Sequence, residues 1–172
     1  MIIRAFSHEN FDVMCLNKGL NDDNIENIKD TAYISIICTE ECRKYYLEDE
    51  TAHWFVKEHP NVLNLDFDDI VEDKMYKGHL FKAMSEEQAE KCVDFIEKNK
   101  GKHFEVHCTA GISRSGAVCQ FIFDFFNENK CYSEEDFNYF NRHINPNNHV
   151  LTLLKRAFYK KNGLFVDENK DF

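Results

Sequence analysis

The stretch from Phe104 to Phe126 constrains this chain more than any other. Phe104, Val106 and Cys108 alternate with Glu105 and His107, the period-two pattern of a strand that buries one face. Ala117 to Phe126 is apolar on nearly all sides and reads as a helix at the centre of the domain. The residues between, Cys-Thr-Ala-Gly-Ile-Ser-Arg-Ser-Gly, leave room only for a tight strand-to-helix turn. A strand of this kind needs neighbours in a sheet, and the helix needs further layers around it.

The remaining chain can supply both. At 172 residues it fits one domain with a sizeable core, read as residues 1–164 with a short tail at 165–172. Apolar residues make up 43%, and sixteen are Phe, so core material is ample. Tyr33–Cys38 reads as a buried strand, and Leu63, Leu65 and Phe67 alternate as another. Ser85-Glu-Glu-Gln88 has capping-box spacing and opens a helix with Ala89, Cys92, Val93 and Ile96 on one face, stopped by Gly101. Ser133 caps a helix containing Phe137 and Phe140, and Val150 to Phe158 forms the last amphipathic helix.

Other segments are weaker. Residues 2–16 read as two short strands and Asn21–Lys29 as a short helix. Glu40–His59 reads as helical in part, anchored by Tyr45, Tyr46, Trp54, Phe55 and Val56, and Asp68–Met84 as irregular. Strands alternating with helices argue for an α/β domain.

Charge and cysteine usage narrow the function. A net charge of -10 argues against nucleic acid or an anionic membrane as partner, since both attract basic surfaces. Any site for an anionic substrate must therefore create its own positive potential. No window approaches a membrane span, and the first ten residues carry Arg4, His8 and Glu9 instead of a signal-peptide core. The expectation is a cytoplasmic monomer. The seven Cys, at 15, 38, 42, 92, 108, 119 and 131, form no paired framework and suit a reducing compartment. Cys38 and Cys42 are the closest pair, but with no CxxC no structural zinc site is expected.

The turn itself carries chemistry. Gly111 allows the backbone to approach a ligand closely, so the N–H groups of Thr109, Ala110, Gly111, Ile112, Ser113 and Arg114 can point inward as an anion nest at a helix N-terminus. The same positive field favours the thiolate of Cys108, a nucleophile for phosphorus. Arg114 offers a planar fork to two phosphate oxygens, and Ser115 can hydrogen-bond the sulfur. Transfer to a thiolate also needs an acid for the leaving oxygen. Asp66, Asp68 and Asp69 cluster where the Leu63–Phe67 strand ends, and continuing its alternation puts Asp69 inward and the other two outward.

His107 to Ser115 resembles the signature of the cysteine-dependent protein tyrosine phosphatases, closest to their dual-specificity branch and its bacterial and phage relatives. The resemblance extends over Val62 to Phe126. It implies one α/β domain with a central mixed sheet of four to five strands, helices on both faces, a phosphocysteine intermediate, and no metal or cofactor. By that likeness Cys108 is the nucleophile, Arg114 the phosphate clamp within the loop Thr109–Arg114, and Ser115 the aid to the leaving thiolate. His107 supports Cys108 from behind, and Asp69 is the general acid and then the base. The chain lacks the Trp-Pro-Asp loop of the larger tyrosine-specific enzymes. Asn145-Pro146-Asn147 resembles a loop that follows the signature in some relatives, and on spacing alone it reads as a helix stop. Lys74, Lys77, His79 and Lys82 read as a solvated face that could instead line the rim.

The expected function is hydrolysis of phosphotyrosine in proteins, with phosphoserine and phosphothreonine as further substrates. The alternatives are a phosphoinositide or RNA 5′-phosphatase on the same scaffold, disfavoured by the absence of Lys in the loop, and a non-catalytic phospho-binding module, disfavoured because nucleophile, arginine and acid are all present.

Overall fold

A computed structural model describes residues 1–46, 52–127 and 132–164. In chain order its first half contains β1 (Ile3–Ser7), α1 (His8–Lys18), a 3-10 turn at Ile25–Asn27, β2 (Thr31–Ile37), α2 (Glu40–Tyr46) and β3 (Val62–Asp66). The second half contains β4 (Lys74–Tyr76), β5 (His79–Phe81), α3 (Glu86–Lys98), β6 (His103–Cys108), α4 (Arg114–Phe126), α5 (Glu134–Asn141) and α6 (Asn148–Lys161). The tail at 165–172 and Cys131 lie outside the described residues.

The central sheet has the order β1-β6-β2-β3, and every pairing in it is parallel. Antiparallel pairing, expected within a mixed sheet, occurs in a separate ribbon, β4–β5, and in a single bridge between His59 and Val62 at the start of β3. Alternation sorts the strand residues onto two faces. Ile34, Ile36, Leu63, Leu65, Phe104, Val106 and Cys108 join one core with α3, α4 and α6. Tyr33 and Val62 face a second, smaller core with Phe11, Cys15, Leu20, Ile25 and Phe55. Helices therefore cover both faces, as expected, and α4 is the central one: eight of its first nine residues are buried.

Local chemistry explains the boundaries. Ser85 forms the predicted capping box with Gln88. Ser133 and Asn147 cap α5 and α6 through their side chains. The reading of residues 2–16 as two strands is corrected after Ser7. That residue is an N-cap, its Oγ accepting from Asn10 N, and Gly19 closes α1 in the left-handed conformation (φ 62°). Only Phe11 and Cys15 of α1 are buried, so its sequence shows no broad apolar stripe.

The expected helix at Asn21–Lys29 reduces to the 3-10 turn. The helix expected within Glu40–His59 reaches Tyr46; residues 47–51 lie outside the described chain, and 52–59 are not helical. There Phe55 is fully buried, Trp54 Nε1 donates to the Leu20 carbonyl, and Val56 is exposed. Asp68–Met84 is not wholly irregular, because Lys77 and Gly78 (φ 48° and 86°) form the two-residue turn of the β4–β5 hairpin. Among the described residues no helix is long and apolar enough to cross a membrane.

Candidate active site

The site lies at the carboxyl end of the parallel sheet, where β6 ends at Cys108 and α4 begins at Arg114. The loop between them is held by its carbonyls. Thr109 O accepts from His8 N (3.2 Å), Ile112 O from Asn145 N (3.0 Å), and Ser113 O from Asn147 N (3.1 Å) and Ala117 N (2.9 Å). With the carbonyls turned outward, the amides of Ala110 to Ser113 find no protein acceptor among the described residues. Unpaired amides clustered at a helix N-terminus form an anion-binding concavity. Gly111 makes the turn possible: its φ is 75°, and a Cβ there would stand 2.4 Å from Ser7 N.

Cys108 is 2% exposed, and its Sγ lies 3.1 Å from Ser115 Oγ, itself fully buried in the first turn of α4. Arg114 is 3% exposed. Its Nη1 donates to the Phe67 carbonyl (2.6 Å), and Nη2 reaches Thr109 Oγ1 (2.8 Å) and Cys38 Sγ (3.5 Å). Its Nε is buried without a partner, and among the described residues no carboxylate forms an ion pair with it. A buried guanidinium left without a counter-anion costs several kcal/mol. A dianion above the loop would remove that cost.

Behind the loop, His107 is fully buried and stacked on Phe11 with ring centroids 4.2 Å apart. Its Nε2 lies 2.6 Å from Ser35 Oγ, which lies 2.6 Å from His53 Nδ1; His53 Nε2 in turn lies 2.6 Å from Asp66 Oδ1. Burial, with the nearby His8, His53 and Arg114, pushes His107 down to about 3, so it is neutral at ordinary pH.

The three aspartates have three different fates. Asp66 is committed to His53. Asp68 is 2% exposed, contrary to its expected outward face, and accepts from Thr39 N (2.9 Å), Thr39 Oγ1 (2.8 Å) and Lys82 N (2.8 Å). Asp69 reaches the loop: its Oδ1 accepts from Ser113 Oγ (2.7 Å) and Asn147 Nδ2 (2.8 Å). The alternation argument thus leads to the aspartate beside the loop by a route the backbone does not take, since β3 stops at Asp66.

Asn147 was not singled out as a site residue, and the Asn145–Asn147 segment is more than a helix stop: it tethers Ile112 and Ser113 and holds Asp69. Its only signal was a capping residue after a proline. Ser35, His53 and Thr39 gave no signal, because their roles depend on which strands are neighbours. Two of the basic hairpin residues turn elsewhere: Lys77 lies over the Tyr45 and Tyr76 rings, and His79 pairs with Glu41 (3.1 Å). Cys119, in α4, is fully buried, and burial pushes its thiol well up.

No family model matches the chain, and no curated protein does. Among solved structures it is similar to PTPMT1 in complex with PI(5)P, at 14% identity over 94% of this chain and 93% of that one, with a TM-score of 0.48. It is also similar to the Cydia Pomonella PTP-2 phosphatase, at 18% identity over 91% and 85%, TM-score 0.47. A third is the human tyrosine phosphatase-like serine/threonine/tyrosine-interacting protein, at 20% identity over 91% and 87%, TM-score 0.41. These neighbours are members of the cysteine-dependent protein tyrosine phosphatase superfamily. What this site can do is decided by its own atoms.

Proposed function

We propose that the chain is a protein phosphatase that hydrolyses phosphotyrosine, and also phosphoserine and phosphothreonine, through a phosphocysteine intermediate. The observation that carries this reading is the buried Arg114 guanidinium, with no carboxylate partner among the described residues, at the end of a loop that starts at Cys108 and whose amides find no acceptor among those residues. The amides and Arg114 hold the phosphoryl group and meet the charge that develops on its equatorial oxygens. The Cys108 thiolate attacks phosphorus while Asp69 gives a proton to the departing ester oxygen. In the second step Asp69 takes a proton from water, and the water oxygen displaces the sulfur. Ser115 Oγ, 3.1 Å away, donates to that sulfur as it leaves.

Ile112, 40% exposed on the rim, offers an apolar surface to an aryl ring. The loop offers no cation besides Arg114 for a second phosphate group, which favours a monoester on a protein over a polyanion. The net charge of -10 supports a protein partner over nucleic acid or membrane, and we take the protein to act as a monomer. Cys108→Ser is expected to lower aryl-phosphate turnover by about 10⁴-fold or more while tungstate binding survives. Turnover at the wild-type rate would refute the reading.

A further inference from the structure

Next to the phosphate loop stands a ligand set the proposed chemistry does not use. Cys38 follows β2, Cys42 lies in α2, and Asp68 follows β3; Cys38 Sγ, Cys42 Sγ and one Asp68 carboxylate oxygen all lie within 4.8 Å of one another. Two sulfurs and a carboxylate oxygen are the donor types that select a borderline-soft divalent ion such as Zn²⁺. In a tetrahedral zinc site with Zn–S near 2.3 Å the two sulfurs stand ~3.8 Å apart, so the ligands need to close by at most about 1 Å.

The supporting contacts are already in place. Asp68 is fixed by Thr39 N on one oxygen and by Thr39 Oγ1 and Lys82 N on the other, which leaves a lone pair of Oδ1 for a further partner. Cys42 is buried, and its N donates to Thr39 Oγ1 (3.4 Å), the same hydroxyl that donates to Asp68. Arg114 Nη2, 3.5 Å from Cys38 Sγ, is a donor to that sulfur of the kind that steadies a ligating thiolate. Cys42 and Asp68 are buried and Cys38 is partly exposed beside Thr109, so a fourth position opens toward the loop.

We propose that Cys38, Cys42 and Asp68 form a binding site for a thiophilic divalent cation, with Zn²⁺ the best fit, and that its occupancy opposes phosphate binding. Two thiol protons leave to solvent as two metal–sulfur bonds form. A divalent ion with two thiolates and a carboxylate carries a net charge of -1. It engages Arg114 through Cys38 and repels an incoming dianion, so the ion acts as a reversible inhibitor. The consequence for turnover rests on the phosphatase reading; the site itself does not.

The test uses full-length Cys108→Ser protein, which removes the proposed nucleophile as a competing ligand, and Cd²⁺ as a probe whose bonds to thiolate absorb in the ultraviolet. One equivalent should bind with a two-thiolate band, and Cys42→Ser or Cys38→Ser should each weaken binding by more than about 10-fold, the low end of what losing a mere supporting contact costs. The absence of a band, or one that survives both substitutions, overturns the site. In the protein with Cys108 intact, Zn²⁺ inhibition should be competitive with phosphate, reversed by a chelator, and weakened by Cys42→Ser. Inhibition unchanged in Cys42→Ser places the ion on Cys108 and overturns the regulatory role. Cd²⁺ binding by a protein that has no turnover on any phosphomonoester would leave the site standing and remove the phosphatase reading instead.

Discussion

Replacing Gly111 by Ala separates two demands that the loop makes on one residue. The first is conformational: at φ 75° an L-residue is in the left-handed region, which costs about 1–2 kcal/mol. The second is spatial. The new Cβ would stand 2.4 Å from Ser7 N, 2.5 Å from Phe6 C and 2.7 Å from Phe6 O. All three are backbone atoms, fixed by the β1–β6 ladder that pairs Phe6 with His107 and Ser7 with Cys108, so no rotamer change relieves them. Either the loop or the β1–α1 junction has to move by about 1 Å, and a shift of that size costs on the order of 10²-fold in rate when it displaces catalytic groups. It also endangers the His8 N to Thr109 O bond, worth about 1 kcal/mol. The expected total is ~2–3 kcal/mol of stability.

Gly19 supplies the control, because its φ is 62° but nothing lies within 4 Å of an added Cβ. Gly19→Ala should lose ~1–2 kcal/mol in chemical denaturation and keep full turnover of an aryl phosphate. Gly111→Ala should lose more stability and about 10²-fold in kcat. Equal behaviour of the two variants in both assays would refute the close-approach argument.

Two further outcomes follow from the aspartates and from His107. Asp69→Asn should lower kcat by ~10²-fold or more and flatten the alkaline limb of the pH–rate profile, whereas Asp68→Asn should cost about 1–3 kcal/mol of stability and leave that limb in place. The reverse pattern would assign the acid to Asp68. His107 is held down to about 3 when folded but takes up a proton near 6.5 when unfolded, so the unfolded chain binds more protons between those values and acid destabilises the fold. Denaturation at pH 7 and pH 5 should differ by ~2 kcal/mol from this group, and His107→Asn should remove that portion; equal slopes in both proteins would contradict it.

Where a segment's structure follows from its own neighbours, its sequence is legible. The Ser85–Gln88 box, the Phe104–Cys108 alternation and the apolar run of α4 all contain their own instructions. The Thr109–Ser113 loop belongs with them, because one glycine between a strand that ends at Cys108 and a helix that starts at Arg114 leaves few ways to turn. Segments stabilised by distant parts of the chain are not legible in this way. Helix α1 buries only Phe11 and Cys15, and its signal is the Ser7 cap alone. The β4–β5 turn places Lys77 at a positive φ where Asn or Asp is the usual sign, so the hairpin leaves little trace. Trp54, Phe55 and Val56 look like one apolar cluster, yet Phe55 enters the smaller core and Val56 faces solvent.

The aspartate beside the loop shows how these two kinds of information combine. Strand periodicity is informative only while a strand lasts, and β3 ends at Asp66. Phe67 N still pairs with Ile37 O, but Asp68 N pairs with Lys82 O, so within two residues the backbone changes partner from β2 to the far end of the hairpin. The buried Asp68 carboxylate sits at that change of partner and joins Thr39, after β2, to Lys82, after β5. Asp69 is the next residue, and its direction is inherited from this junction, with Ser113 and Asn147 receiving it. The adjacent carboxylates thus divide the work: the buried one fixes the backbone, and the exposed one is left at the loop. A carboxylate placed in this way depends on the hairpin as much as on the sheet, so its position beside the loop does not follow from the local pattern of Leu63–Asp69.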